Sequence, residues 1–197
     1  MTVALWLAAA VLPLAAQPKL LVNARLDTRS AASGLEREFK ALLAAQPQPA
    51  WIAYSVPAQG RCLGCVLVSP DGWWAPGVVH LEPPDHMVVM FRVEANAVER
   101  VRALSPDCEI DARGLPVHWL TDVAPAESAA LLGGIADGNA RLRPQAFSAL
   151  ARTSEGIALL IGAVRTNREP EARKQAMTAL GRTGDPRAVA LFEEMLK

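Results

Sequence analysis

Two stretches of the sequence decide the fold: Arg143–Thr153, which reads RPQAFSALART, and Arg173–Thr183, which reads RKQAMTALGRT. They lie 30 residues apart, and seven of their eleven positions are identical. Self-similarity at a period of this length is typical of chains in which helical units stack on one another. The two stretches therefore predict an all-α stack in the last third of the chain.

The segments after the two stretches also correspond, because Gly156–Leu160 matches Ala188–Phe192 after a two-residue insertion. Asp185 is a good N-cap residue, and Pro186 suits the first position of a helix. Hydrophobic periodicity predicts about two and a half repeats from Pro125 onward. The five expected helices cover residues 125–136, 140–152, 154–166, 169–182 and 186–197. Small and apolar residues that recur where helices must approach closely predict the seam between repeats: Ala146, Leu150, Ala176 and Leu180.

Before Pro125 the pattern is different. Ser33 and Glu36 have the spacing of a capping box at the start of a helix that continues to about Ala45. Short apolar runs broken by Pro and Gly then predict strands over residues 51–56, 65–69, 78–81, 87–93 and 115–120. Asn96–Leu104 fits either a strand or a helix, and we favour a strand that pairs with 87–93. We therefore expect an α+β domain over residues 17–124, followed by an all-α superhelical repeat stack over residues 125–197.

The first residues indicate export. Val3–Ala16 is an uninterrupted apolar run. It is shorter than the roughly 20 residues that a helix needs to cross a bilayer. Leu14–Ala16 offers a small residue at the cleavage point and a tolerable one at position −3, although no basic residue precedes the run. We interpret residues 1–16 as a signal peptide and expect a periplasmic or secreted protein, with no integral membrane span in the mature chain.

Charge and motifs exclude several classes of function. Basic and acidic residues number 20 each, and neither half of the chain has the positive excess that is typical of nucleic-acid binding. Residues 1–125 carry 10 basic and 12 acidic residues, and 126–197 carry 10 and 8. The sequence contains no phosphate-binding loop, no Gly-x-Ser-x-Gly and no His-Glu-x-x-His. We therefore expect no catalytic residues, no cofactor and no nucleic-acid partner.

Three cysteines, Cys62, Cys65 and Cys108, are the remaining residues that could bind a metal, take part in redox chemistry or form a disulfide. A redox site of the thioredoxin type is disfavoured, because an apolar strand and not a helix follows the Cys-x-x-Cys pair. Zinc could use the three cysteines with His118, but the tight spacing of known zinc folds is missing. In an oxidising compartment a structural disulfide with one further thiol is favoured, and all three pairings stay open.

Two adjacent tryptophans are a second candidate site. Neighbouring positions of a strand point to opposite faces, so either Trp73 or Trp74 is expected to be exposed if this segment is a strand. An exposed ring would suit partner binding, or packing between the two domains. The three histidines, His80, His86 and His118, are isolated in the sequence and favour structural roles.

The last 27 residues resemble a known repeat family. Glu171–Lys197 has a basic residue, an Ala-Leu-Gly and a Gly-Asp-Pro turn before an apolar helix. This pattern is similar to the HEAT repeat of the bilin-lyase-like class. The preceding copy departs from it, with Thr153–Gly156 in place of Gly-Asp-Pro and with Pro144 in its first turn. The N-terminal part, with Trp51–Val56 and its cysteines, resembles exported bacterial HEAT-repeat proteins.

What the resemblance implies is an α-α superhelix that binds proteins. Some relatives of the class are chromophore lyases, but residues 126–197 contain no His or Cys for such chemistry. We therefore expect an exported, non-enzymatic interaction module, a scaffold or adaptor for an unidentified protein partner. The alternative is a metal-binding or thiol-active protein centred on the three cysteines.

The signal peptide makes a prediction about the mature chain. Cleavage after Ala16 leaves Gln17 as the first residue. The intact mass of protein expressed through an export pathway should show this loss. Full-length protein that retains Met1 and stays in the cytoplasm would contradict the assignment.

Overall fold

A computed structural model describes residues 21–59 and 85–197. Strands and one helix come first: β1 (Leu21–Val22), β2 (Arg25–Ser30), α1 (Leu35–Ala44), β3 (Ala50–Pro57), β4 (His86–Glu94), β5 (Ala97–Leu104), β6 (Ile110–Asp111) and β7 (Pro116–Thr121). Five helices follow: α2 (Pro125–Gly138), α3 (Arg143–Leu150), α4 (Ser154–Thr166), α5 (Pro170–Leu180) and α6 (Pro186–Met195). The described part is thus an α+β region followed by helices.

A five-stranded sheet forms the N-terminal region, in the order β2-β7-β3-β4-β5. β2 and β3 run parallel to β7, which lies between them, whereas β4 runs antiparallel to both β3 and β5. β1 and β6 form a separate parallel pair. Because side chains alternate along a strand, Tyr54 packs into one core and its neighbour Ala53 into another, on the opposite face.

The strands agree with most of the sequence expectations. The runs at 51–56, 87–93 and 115–120 are strands β3, β4 and β7. The expected strands at 65–69 and 78–81 lie outside the described residues. β2 was not expected, because its sequence, RLDTRS, has no apolar alternation. Its residues are mostly exposed, and parallel pairing with β7 holds it in the sheet.

The stretch 96–104 forms the hairpin that we favoured. β4 and β5 are joined by a two-residue turn in which Ala95 and Asn96 both have positive φ angles, of 50° and 60°. Turns of this handedness match the twist of the strands they connect. The Asn96 side chain donates to the carbonyl oxygens of Leu43 and Ala44, at 3.0 and 2.6 Å. The turn therefore also caps the carboxyl end of α1.

The capping box at Ser33 is wrong. Helix α1 begins at Leu35 with Gly34 as its N-cap, and Gly34 has a φ of 120° that favours glycine. The Ser33 hydroxyl donates instead to Glu38, at 2.9 Å. The backbone N–H of Leu35 donates to the carboxylate of Glu127 in α2, at 3.4 Å. A residue from the helical region therefore supplies the cap, which no local pattern predicts.

The five helices from Pro125 agree with the expected number and order, each within a few residues of its expected ends. The repeated arginines explain part of the sequence identity. Arg143 is buried, donates to Ala136 O at the end of α2, and pairs with Glu169 at 2.8 Å. Arg173 donates to Asn167 O at the end of α4. Each arginine thus satisfies a carbonyl that the preceding helix leaves open.

The repeated threonines also have one shared role. The hydroxyls of Thr153 and Thr183 donate to the carbonyl oxygens of Leu150 and Leu180, at 3.3 and 2.8 Å. Thr153 further caps α4 by accepting from the N–H of Gly156. A Cβ at Gly156 would lie 2.1 Å from the Leu150 carbonyl oxygen, so the first copy needs glycine at this close approach.

One apolar core joins the sheet and the helices. It contains Tyr54 and Phe91 from the sheet, Phe39 from α1, and side chains from all five later helices. Tyr54 is fully buried, and its hydroxyl is hydrogen-bonded to Ser128 of α2, at 2.9 Å. The four expected seam residues are all buried: Ala146, Leu150, Ala176 and Leu180.

Within residues 21–59 and 85–197, no helix combines the length and apolar character needed to cross a membrane.

We predict that Ala176→Glu melts the helical stack. Ala176 is fully buried, and a carboxylate without a partner there should cost roughly 3–5 kcal/mol. That is a large part of the roughly 5–15 kcal/mol of a typical domain. Urea unfolding measures the loss. Thr178→Glu, on the exposed side of the same helix, is the control and should change stability little.

Candidate functional site: a groove between successive repeats

The first repeat already holds an extended chain, namely strand β5. In the described sheet β5 has a partner only on the β4 side, so its other edge presents unpaired backbone groups. The backbone N–H of Val101 donates to Oε1 of Gln145 in α3, at 2.8 Å. A helix side chain thus replaces the neighbouring strand that an edge lacks.

A charged contact strengthens the same junction. Arg141, just before α3, donates to both the backbone oxygen and the side-chain carboxylate of Glu99, at 3.1 and 3.0 Å. The pair is exposed, so its contribution to stability is small. It does fix the position of the strand along the helix. Backbone recognition by Gln145 and side-chain recognition by Arg141 therefore act on one extended segment.

The second repeat carries the same glutamine, but no backbone N–H of a described residue donates to it. Gln175 occupies the position equivalent to Gln145, at the 30-residue offset. Its Nε2 donates to Glu171 Oε1, at 3.2 Å, whereas its Oε1 is buried and has no hydrogen-bond partner among residues 21–59 and 85–197. A buried acceptor without a partner raises the free energy of the folded protein, and a bound molecule that donates a hydrogen bond to it removes this cost. The arginines and threonines of the repeat have equivalent bonds in both copies, but the two glutamines differ.

Gln175 lines a groove between helices α3 and α5, which we call the inter-repeat groove. The groove has a volume of about 440 Å³. One end is formed where the backbone N–H of Gln59, just after β3, donates to Arg152 O at 2.7 Å. Ten of its fifteen lining residues are polar or charged: Gln59, Ser148, Arg152, Glu171, Lys174, Gln175, Thr178, Arg182, Thr183 and Asp185.

The electrostatics of the groove favour an anion. Lys174 and Arg182 are exposed and form no ion pair with another described residue. Asp185, in contrast, caps α6 and accepts from the Arg187 guanidinium at 3.0 and 2.9 Å. The hydrogen bonds from Arg187 hold the pKa of Asp185 below its ordinary value. The two acidic residues of the wall are thus both engaged, while two of its cations face solvent.

Several residues singled out in the sequence do not belong to this groove. Cys62, Cys65, Trp73, Trp74 and His80 lie outside the described residues. Cys108 is buried, with an exposed fraction of 3%, between β5 and β6. His86 pairs with the exposed carboxylate of Asp85, at 2.9 Å.

His118 has a structural environment in β7. Its Nδ1 lies 3.0 Å from Asp27 Oδ2, and its Nε2 lies 3.1 Å from Gln46 Oε1. The hydrogen bond from His118, together with Arg29, holds the pKa of Asp27 below its ordinary value. Among the residues that the structure describes, no three His, Cys, Asp or Glu side chains are placed to hold a metal ion.

Residues 102–197 match the family model of HEAT repeats. The match supports a HEAT-repeat domain in this part of the chain. The match begins within β5, so its first residues are strand in this protein and the helices follow from Pro125. Comparisons with curated proteins and with solved structures find no match.

Sequence reasoning missed the two glutamines, although the signal was present. Gln145 and Gln175 occupy equivalent positions of the repeat, at an offset of 30 residues. A polar residue that recurs among buried alanines and leucines requires a hydrogen-bond partner. The sequence does not say which partner, since Val101 is 44 residues away.

The two glutamines make a matched prediction. Gln145→Met leaves the Val101 N–H without an acceptor and should lower the free energy of unfolding by about 1–3 kcal/mol. Gln175→Met removes an oxygen that has no donor, so it should be neutral or slightly stabilising. Urea denaturation of the two variants checks this. Equal losses at both sites would contradict the different roles of the two side chains.

Proposed function

We propose that this chain is a non-enzymatic adaptor that holds another protein on its HEAT repeats. The single observation that carries the proposal is that the first repeat binds strand β5 through hydrogen bonds of Gln145 and Arg141. It supports a repeat surface suited to binding extended protein. HEAT repeats are commonly protein-interaction scaffolds, and the matched region covers the helices that form the groove.

The balanced charge of the chain supports a protein partner over nucleic acid. Basic and acidic residues are equal in number, and the cations of the inter-repeat groove are few and local. The metal-binding or thiol-active alternative has no support among the described residues, where His118 is engaged by Asp27 and Gln46.

We also propose that the adaptor is exported and contains one disulfide that involves Cys108. The apolar run at Val3–Ala16 supports export. The burial of Cys108 supports the disulfide, with Cys62 and Cys65 as the candidate partners. A bridge of this kind closes a loop of more than 40 residues and, in the chain-entropy model, stabilises by about 4 kcal/mol.

The disulfide predicts a definite thiol count. Peptide mapping without reductant should find one disulfide, from Cys108 to one of the other two cysteines, and one thiol per chain. Reduction should then lower the melting temperature sharply. Three thiols together with one equivalent of zinc would overturn the disulfide and restore the metal-site alternative.

Affinity capture tests the adaptor function. The tagged chain is used as bait in extracts of the cells that produce it, beside Ala176→Glu, which should lack a folded stack. A specific protein should be enriched by the wild-type chain alone, and the purified pair should bind with a fixed stoichiometry in calorimetry. Failure to enrich any protein over the Ala176→Glu control, or failure of the purified pair to bind, would contradict the adaptor function.

A further inference from the structure

We infer that the inter-repeat groove binds an extended acidic segment of the partner protein, whose backbone N–H donates to Gln175. This inference rests on the proposed adaptor function and names the site and the chemistry of the partner. The observation behind it is the pair of equivalent glutamines. One binds a backbone N–H of the chain's own strand, and the other has a buried acceptor to which no described residue donates.

The repeat itself indicates what kind of chain fits. Gln145 lies on α3 and accepts from Val101 in an extended strand at a sheet edge. Gln175 lies at the same position on α5 and lines the groove. The torsion of a glutamine amide is soft, so rotation of the amide can present Oε1 to a bound chain. An extended backbone offers such a donor at every second residue along one edge.

The charges beside Gln175 specify the side chains of the occupant. Lys174 and Thr178 are spaced four residues apart and therefore lie along one side of α5, and Arg182 follows two residues beyond its end; all three line the groove. The two cations have no ion pair with a described residue, whereas Asp185 is engaged by Arg187. Carboxylates of the bound segment would pair with Lys174 and Arg182. The hydroxyl of Thr178 donates to Lys174 O, and its oxygen can still accept.

The occupant is short. α5 has 11 residues and is therefore about 16 Å long, which about five or six extended residues would span. A nucleic-acid strand is the competing polyanion. It supplies phosphates but no regular row of backbone N–H donors for Gln175, so the glutamine distinguishes the two occupants.

The experiment uses the isotope-labelled full chain and peptides of about six residues, as the length of α5 requires. One peptide alternates Glu with Thr, and its matched partners carry Gln or Lys in place of Glu. The acidic peptide should cause saturable NMR shifts at the side-chain amide of Gln175 and at Lys174, Thr178 and Arg182. The Gln and Lys peptides should bind at least about tenfold more weakly.

Variants separate the two parts of the site. Gln175→Met should weaken binding about tenfold, and N-methylation of the peptide backbone should do the same in the wild-type protein. Lys174→Glu combined with Arg182→Glu should abolish the preference for the acidic peptide. Arg168→Glu makes the same type of charge change just outside the groove, and it should leave binding unchanged.

Three results would overturn the inference: no saturable shifts at the groove, equal binding of the three peptides, or tighter binding of a single-stranded thymidine oligonucleotide than of the acidic peptide. The captured partner gives an independent check. If it binds the Lys174→Glu, Arg182→Glu protein as well as wild type, the groove is not its site and this inference fails while the adaptor function stands. If no partner is captured at all, the adaptor function itself fails.

Discussion

The junction between helix α3 and the outer edge of strand β5 is the contact on which the rest of the structure depends. An exposed strand edge is a template for unwanted pairing, and proteins have to cover it, charge it or bend it. Here the first repeat covers the edge, because Gln145 accepts from Val101 and Arg141 holds Glu99. The sheet gains protection, and the helical stack gains a fixed first layer.

The same junction explains why the sheet and the helices share a core. A short stack of repeats exposes apolar surface at its first helix unless something caps it. The apolar core continues from α2 into the sheet, and the buried hydrogen bond between Tyr54 and Ser128 fixes their relative position. Glu127 then ties α1 to α2 by accepting from the N–H of Leu35. The N-terminal region therefore acts as the cap of the repeats.

The residues that recur in the two repeats divide into two kinds. Arg143 and Arg173 close the end of a preceding helix, and Thr153 and Thr183 bind the last turn of their own helix. These four side chains therefore all have hydrogen-bond acceptors within the chain. The recurring glutamine accepts from a described backbone N–H only in the first copy, and this difference between equivalent positions is the observation behind the bound segment that we infer for the inter-repeat groove.

The sequence by itself determined the elements whose cause is local. Periodic apolar residues and helix caps predicted the five helices, and short apolar runs predicted β3, β4 and β7, because burial on one face imposes a pattern on the residues that are buried. The cap of α1, the polar strand β2 and the groove were decided by tertiary structure. Each depends on residues far apart in the chain, such as Glu127 for Leu35 and Val101 for Gln145. A hydrogen-bond donor does not mark its acceptor in the sequence, so a partner 44 or 92 residues away becomes visible only when the chain is folded.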